Sequence, residues 1–123
     1  FDWEIARRLE VGERYNRLFD EAGISRVRKR PDRTSAFAQY TIFVENRLGV
    51  QTNLQAKGIP TAVHYPAPLN EQSAYQDKCR HGSLPVSARA SETVLSLPMH
   101  PDLQPDVQDS IVEAVVSATE RRA

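Results

Sequence analysis

The sequence contains one cysteine, Cys79, and no long apolar run. A single thiol cannot form an internal disulfide, and a thiolate zinc site would need a second cysteine or a tight cluster of histidines. We therefore expect a reducing, cytoplasmic setting. A membrane span needs about 18 consecutive apolar residues, and the opening segment FDWEIARRLE is charged and amphipathic, unlike a signal peptide. These absences predict a soluble chain with no membrane partner.

The charge balance also limits which kinds of binding partner the sequence favours. The chain has 16 Lys and Arg residues against 16 Asp and Glu residues, so its formal net charge is zero. Nothing in that balance favours nucleic acid, an anionic membrane or an acidic substrate. The hydrophobic class makes up 40% of the 123 residues, which suits a single globular domain over residues 1–123 with a modest core.

The only methionine is Met99, so the sequence opens at Phe1 without an initiator, inside a predicted helix. We expect the chain to be the C-terminal part of a longer protein. A removed initiator or a short leader is the alternative.

Apolar periodicity and end signals predict four helices. In the first, apolar residues recur mostly at three- and four-residue steps between charged residues, and Gly23 ends it. Asn46 is suited to cap the second, and prolines suit the first turns of the last two. The predicted helices cover residues 2–22, 47–56, 84–96 and 104–122.

Three segments have the composition of β-strands, and LSLPMHP is predicted as a fourth, brief extended stretch. The segment ISRVRKRP alternates apolar and basic residues like an edge strand, and SAFAQYTIFVE, residues 35–45, predicts a central strand. TAVHY predicts a short strand that Pro66 and Pro68 stop. The element order predicts an α+β fold, with a small, mostly antiparallel sheet packed against helices. A compact α/β unit is the alternative, with the second helix as a crossover.

Few residues have a spacing typical of metal or covalent chemistry. The three histidines, His64, His81 and His100, are separated by sixteen residues or more, and HExxH, CxxC, phosphate-loop and dinucleotide motifs are missing. Cys79 lies beside Arg80 and His81, but adjacent loop residues seldom form a nucleophile and base pair. We predict no metal site.

The basic tract RVRKRPDR, residues Arg26–Arg33, has enough positive charge to bind an anionic partner. No aromatic residue is interleaved for base stacking, and the whole domain is neutral, so a charged edge strand and loop is the favoured interpretation. A free-standing interaction or regulatory module that uses this tract remains the alternative function.

The pair His64-Tyr65 stands at the end of a predicted strand, ahead of two prolines. In a regular strand the two side chains would point to opposite faces, so they line one pocket only if the chain turns there. Pro66 favours such a turn. From the residues alone, the pair is a catalytic pair, a binding surface or a plain strand end.

Two longer motifs narrow these choices. KGIPTAVHYPAPLNEQSAY and LPVSARASETVLSLPMHPDL, with SAFAQYTIFVENR before them, resemble the C-terminal small domain of the DegT/StrS-type sugar aminotransferases. These are pyridoxal-phosphate enzymes of the aspartate aminotransferase fold that aminate keto-sugars on nucleotides. Within the family, the sequence is most similar to enzymes that aminate a 3-keto, N-acetylated UDP-hexuronic acid for lipopolysaccharide O-antigen or similar glycans.

The resemblance implies roles for specific residues. His64 and Tyr65 would lie at the mouth of the active site and contact the sugar or its uronate, with Ala67 near the nucleotide side. Residues 1–22 would be the helix that enters the small domain. The resemblance also implies a homodimeric parent enzyme with glutamate as the amino donor.

The chain departs from the family in one respect. Such an enzyme needs a lysine to hold pyridoxal phosphate, an acid to pair the pyridine nitrogen, and a phosphate cradle. Only Lys29, Lys57 and Lys78 occur, and none suits that role by its sequence context. We therefore expect no catalytic or cofactor-binding residue in this fragment, which should be inactive without the cofactor domain.

Overall fold

The fold combines helices with a short antiparallel strand pair, as the sequence predicts. The computed structural model describes residues 1–74 and 82–120. The helices are α1 (Asp2–Ala22), α2 (Arg47–Ala56), α3 (Pro85–Thr93) and α4 (Pro105–Glu120), with a 3₁₀ turn at Leu69–Glu71; the strands are β1 (Tyr40–Phe43) and β2 (Val94–Leu97). The predicted α+β class is confirmed.

The sheet is smaller than the sequence suggests. β1 pairs antiparallel with β2, with Ile42 opposite Leu95. Single antiparallel bridges join Arg26 to Ile42 and Ala62 to Ser96, so β1 and β2 each have a neighbour on both sides. The predicted edge strand and the predicted strand TAVHY are therefore each reduced to one bridge.

The shortening has local causes. The central strand was predicted from residue 35, but Phe37 adopts φ 45°, outside the β region, and its N–H bonds the Ser35 hydroxyl. Pairing of the basic segment is confined to Val27 N–H with the Thr41 carbonyl and Phe43 N–H with the Ser25 carbonyl. Strand propensity alone did not predict these breaks.

The alternative prediction used the second helix as a crossover between strands, and α2 holds that position in the topology. α2 connects β1 to the bridge at Ala62, and both are antiparallel to β2. β1 and the Ala62 segment therefore run in the same direction, with β2 between them. α2 is thus the crossover between two segments that run in the same direction and are separated by the antiparallel strand β2.

One face of the strand pair forms the core with α1, α2 and α4. Tyr15 and Phe19 of α1 are fully buried, and the Tyr15 ring stacks on Tyr40 with 4.5 Å between centroids. The Tyr15 hydroxyl donates to the Pro98 carbonyl over 2.8 Å, which satisfies the one polar atom of that ring. The other core side chains include Ile42, Val50, Leu54, Leu95, Ile111 and Val115.

Several sequence predictions fall outside the described residues, namely those on Lys78, Cys79, Arg80 and His81 and on the last arginines of the fourth helix. Within residues 1–74 and 82–120, no helix is both long enough and apolar enough to cross a membrane. In the same ranges, no group of three or more potential ligands is placed to hold a metal ion.

Candidate functional site

His64 and Tyr65 line a single cleft of about 450 Å³. The chain bends at His64 after the bridge at Ala62, and the His64–Tyr65 peptide bond is cis. The two rings meet edge to face, with centroids 5.4 Å apart and an interplanar angle of 78°. Ala67 lines the same cleft. The turn that the sequence favours therefore brings all three predicted site residues together.

Helix α3 forms the opposite wall. Ser87, Ala90 and Ser91 line the cleft and are spaced by three and four residues, which places them on one face of the helix. Val94, the first residue of β2, lies at the same cleft. The sequence analysis predicted a helix here but gave it no part in the site. The only sequence signal for the part of this helix in the site was the run of small residues at helical spacing.

The polar groups of the turn keep their hydrogen-bonding capacity. Among the described residues, neither the His64 imidazole nor the Tyr65 hydroxyl has a hydrogen-bond partner, although Tyr65 is 67% exposed and His64 half-buried. Ser91, in contrast, donates its hydroxyl to the Ala88 carbonyl over 2.7 Å. An imidazole and a phenol offer directional bonds to hydroxyl, amide or carboxylate oxygens. The cleft is thus equipped to bind a polar ligand.

Two arginines fix the position of α3. Arg47, at the start of α2, donates to the carbonyl oxygens of Ser91 and Val94. Arg89 of α3 contacts both carboxylate oxygens of Glu45. The segment that links β1 to α2 therefore holds the far wall of the cleft, a role that sequence analysis did not predict for Arg47.

The basic tract is largely paired with nearby carboxylates. The Arg26 guanidinium forms two bonds to Asp20, at 2.9 and 2.8 Å, and this hydrogen bonding lowers the pKa of the Asp20 carboxyl. The remaining ion pairs are Arg28 with Asp20 and both Arg30 and Arg33 with Asp32. Two carboxylates therefore offset two of the five positive charges of the tract.

The described residues of the cleft do not fit pyridoxal phosphate. That cofactor needs a lysine amine and an acid for its pyridine nitrogen. No lysine and no carboxylate lines the cleft within the described residues, and Lys29 and Lys57 line other surface clefts. The geometry supports ligand positioning without cofactor attachment.

Comparison with known proteins adds an independent observation. Residues 1–116 match the DegT/DnrJ/EryC1/StrS aminotransferase family. The UDP-2-acetamido-2-deoxy-3-oxo-D-glucuronate aminotransferase of Pseudomonas aeruginosa is 45% identical over 103 residues, which are 84% of this chain and 28% of that protein. The chain thus spans less than a third of the length of this relative.

Solved structures agree at the level of the fold. The crystal structure of a DegT DnrJ EryC1 StrS aminotransferase from Brucella abortus has a TM-score of 0.86 and 37% identity, over 94% of this chain and 31% of that one. S. venezuelae DesV, solved in complex with a ketimine intermediate, has a TM-score of 0.90 and 30% identity, over 99% of this chain and 33% of that one. Both likenesses cover nearly the whole chain described above.

Proposed function

The chain belongs to the DegT/DnrJ/EryC1/StrS aminotransferase family, and from this we infer that it is the C-terminal, substrate-shaping domain of a longer aminotransferase. The single observation that carries the assignment of its role is the cleft where His64 and Tyr65 face α3 with hydrogen-bonding groups that have no partner among the described residues. The chain binds and orients the substrate there. The transfer of the amino group takes place on residues outside this chain.

The proposed substrate is a nucleotide-linked keto-sugar, which the whole enzyme converts to an amino-sugar with glutamate as donor. The P. aeruginosa relative is named for a UDP-linked, N-acetylated 3-oxo sugar acid, which supports this class of substrate. We place the product in lipopolysaccharide or O-antigen biosynthesis, and we expect the parent enzyme to be a cytoplasmic homodimer.

We propose that this chain contributes hydrogen-bonding groups to substrate binding. His64 offers a half-buried imidazole and Tyr65 an exposed phenol on one side of the cleft, so each can direct a hydrogen bond at a sugar oxygen. Ala67 lines the same cleft, and we propose that it lies near the nucleotide. These contacts position the ligand and move no proton in our proposal.

We propose that the cofactor is bound outside this chain. Pyridoxal phosphate stabilises the carbanion that amino transfer requires, and the parent would hold it on a lysine and an acid outside this chain. The cleft lining, which among the described residues has neither group, supports that division of labour. We therefore propose that the 123-residue chain alone is inactive.

The alternative function, an interaction module that binds an anion through Arg26–Arg33, has less support. Four of the five cations in that tract form ion pairs with Asp20 or Asp32. An anionic partner would have to compete with these carboxylates.

A comparison of two proteins tests the proposed function. The longer protein and the 123-residue chain are each incubated with pyridoxal phosphate, glutamate and a UDP-linked N-acetylated 3-oxo-hexuronate. We expect 2-oxoglutarate and the amino-sugar only with the longer protein. Absence of bound cofactor absorbance in the longer protein would contradict the assignment, and turnover by the chain alone would contradict the proposed division of labour.

A further inference from the structure

A second cleft lies between the basic tract, the loop before β1 and α1. Its volume is about 280 Å³, close to the lower limit of about 300 Å³ that is typical of ligand sites. The lining includes Asn16, Arg28, Lys29, Ser35, Phe37 and Gln39, and we call it the Lys29 cleft. No aspartate or glutamate among the described residues lines it. The cleft is therefore sized for a small ligand and has a positive lining.

The Lys29 cleft is separate from the cleft at His64. The bridge at Arg26 lies beside β1, whereas the bridge at Ala62 lies beside β2. Neighbouring strands lie about 4.8 Å apart, so the two bridged segments occupy opposite edges of the strand pair. No described residue lines both clefts. A ligand of the Lys29 cleft would thus be bound independently of the substrate.

Two cations in the lining are available to a ligand. Lys29 is exposed and forms no ion pair with a described residue. Arg28 lies 3.5 Å from Asp20, and its side chain is 70% exposed. The same carboxylate is already held by Arg26 through two shorter bonds of 2.9 and 2.8 Å. Because Asp20 is shared in this way, Arg28 keeps most of its capacity to bind another anion.

The neutral polar groups of the lining are biased toward donating hydrogen bonds. The Ser35 hydroxyl oxygen accepts the Phe37 N–H over 3.1 Å, and the Asn16 side-chain oxygen accepts the Tyr40 hydroxyl over 2.8 Å. These internal bonds occupy acceptor oxygens and leave the Ser35 O–H and the Asn16 amide N–H as donors. The exposed amide of Gln39 adds another donor. A lining of cations and donors suits an oxyanion.

We propose that the Lys29 cleft binds a small phosphate monoester, with the phosphate on Arg28 and Lys29 and the apolar body of the ligand on Val27 and Phe37. A phosphate monoester carries a charge of about −1.5 to −2 at pH 7, so it matches two cations better than a single carboxylate does. Val27 is 54% exposed and Phe37 is half-buried, which provides an apolar surface beside the cations. This site goes beyond the proposed function, because it adds a ligand to those of the amino-transfer reaction.

The experiment follows the backbone amide shifts of the ¹⁵N-labelled 123-residue chain at pH 7 and constant ionic strength. Phenyl phosphate, inorganic phosphate and benzoate are added at millimolar concentration, which separates the effect of the dianion from that of the apolar body. We expect phenyl phosphate to shift the amides of Lys29, Ser35 and Gln39 and to leave that of Tyr65 unshifted. It should bind about fivefold more tightly than either of the other two ligands.

Three exposed cations provide the test variant and its controls. Lys29→Gln should weaken the binding of phenyl phosphate about fivefold, because it removes a cation from the lining. Arg33→Gln removes a charge from the same tract but not from the lining, so binding should change less than about twofold. Lys57→Gln, at a lysine that lines a different cleft, should leave binding unchanged.

Four outcomes would overturn the proposal. The first is no shift at Lys29, Ser35 and Gln39 with phenyl phosphate, and the second is equal binding of inorganic phosphate or benzoate. The third is undiminished binding by the Lys29→Gln chain. The fourth is equal weakening by Arg33→Gln, which would indicate diffuse attraction to the tract. None of these measurements involves the His64 cleft or amino transfer by the longer protein, so their failure would leave the proposed function intact.

Discussion

Arg47 Nη1 lies 3.3 Å from the carbonyl oxygen of Val94, the residue where α3 passes into β2. The same nitrogen also donates to the Ser91 carbonyl. One half-buried guanidinium thus satisfies two carbonyls behind the cleft wall and ties the start of α2 to the end of α3.

Replacement of Arg47 by methionine keeps most of the apolar stem and removes both bonds. We expect the free energy of unfolding to fall by about 1–3 kcal/mol, because two carbonyls at a partly buried junction lose their donor. Urea denaturation measures the change. Arg17→Met is the control, since Arg17 is exposed and has no ion pair with a described residue. Equal stability of the two variants would show that the Arg47 contacts contribute nothing.

Tyr15 is expected to stabilise the core mainly through its ring. Tyr15→Phe removes the 2.8 Å bond to the Pro98 carbonyl and should cost about 1 kcal/mol, while Tyr15→Ala also removes the stacked ring and should cost about 3–5 kcal/mol. Tyr65→Phe, at an exposed position, should be nearly neutral. Thermal or urea unfolding ranks the three variants, and a different order would refute the assignment of the core.

The Phe37 ring occupies the space that a Cβ at Gly12 would need. The effect of Gly12→Ala on stability should therefore change sign when that ring is removed. A Cβ at Gly12 would lie 2.5 Å from the Phe37 ring, so Gly12→Ala should destabilise the chain by about 1–3 kcal/mol through overpacking. In a Phe37→Ala background the clash is gone, and the same substitution should stabilise α1 by about 0.5–1 kcal/mol. A double-mutant cycle in urea tests this; the same sign in both backgrounds would contradict it.

Asp20 should make stability depend on pH. Hydrogen bonding from Arg26 lowers the pKa of the Asp20 carboxyl in the folded state. Its contribution is therefore fully present above the ordinary value of about 3.9 and is lost as pH falls through the lower folded pKa. Asp20→Asn should be less stable than the native chain at neutral pH, and the difference should shrink in acid. Glu21→Gln controls for the loss of one negative charge. A stability difference between Asp20→Asn and the native chain that stays constant with pH would exclude this linkage.

His64 and Tyr65 should affect substrate use in the longer enzyme without affecting its cofactor. His64→Ala and Tyr65→Phe each remove a hydrogen-bonding group from the cleft, so we expect kcat/KM for the keto-sugar to fall about tenfold in each. The absorbance of bound pyridoxal phosphate should stay the same in both. Loss of the cofactor in either variant would indicate a structural or cofactor role and would contradict the substrate-binding proposal.

Much of the helical architecture could be predicted from local sequence. α1 has the bounds that its periodicity predicts, with Gly23 at φ 72° as its end, and the Asn46 side chain accepts the Gly49 N–H as the predicted cap of α2. These features depend on residues within a turn or two of each other, where propensity and capping act. The strands were predicted less well, because their extent depends on distant partners.

The candidate site also has one part that could be predicted from the sequence and one part that could not. The turn at His64-Tyr65 could be predicted from Pro66, and its association with a ligand came from the motif resemblance. The wall formed by Ser87 and Ala90 could not be predicted, since α3 is distant in sequence and its residues are small and common. Its position depends on Arg47, whose partners are 44 and 47 residues away.

The sequence by itself determined α1, the cap of α2, the α+β class and the identity of the turn residues, because these follow from local backbone preferences and from contiguous motifs. The predicted third helix was wrong at its end, since residues 94–96 belong to β2, where they pair with β1. The tertiary structure alone decided that the sheet has two regular strands within the described residues, that Asp20 and Asp32 pair with four of the five cations of the basic tract, and that α3 closes the cleft opposite His64. Each of those outcomes requires groups far apart in the chain to meet in space, and only the packed chain fixes their distances.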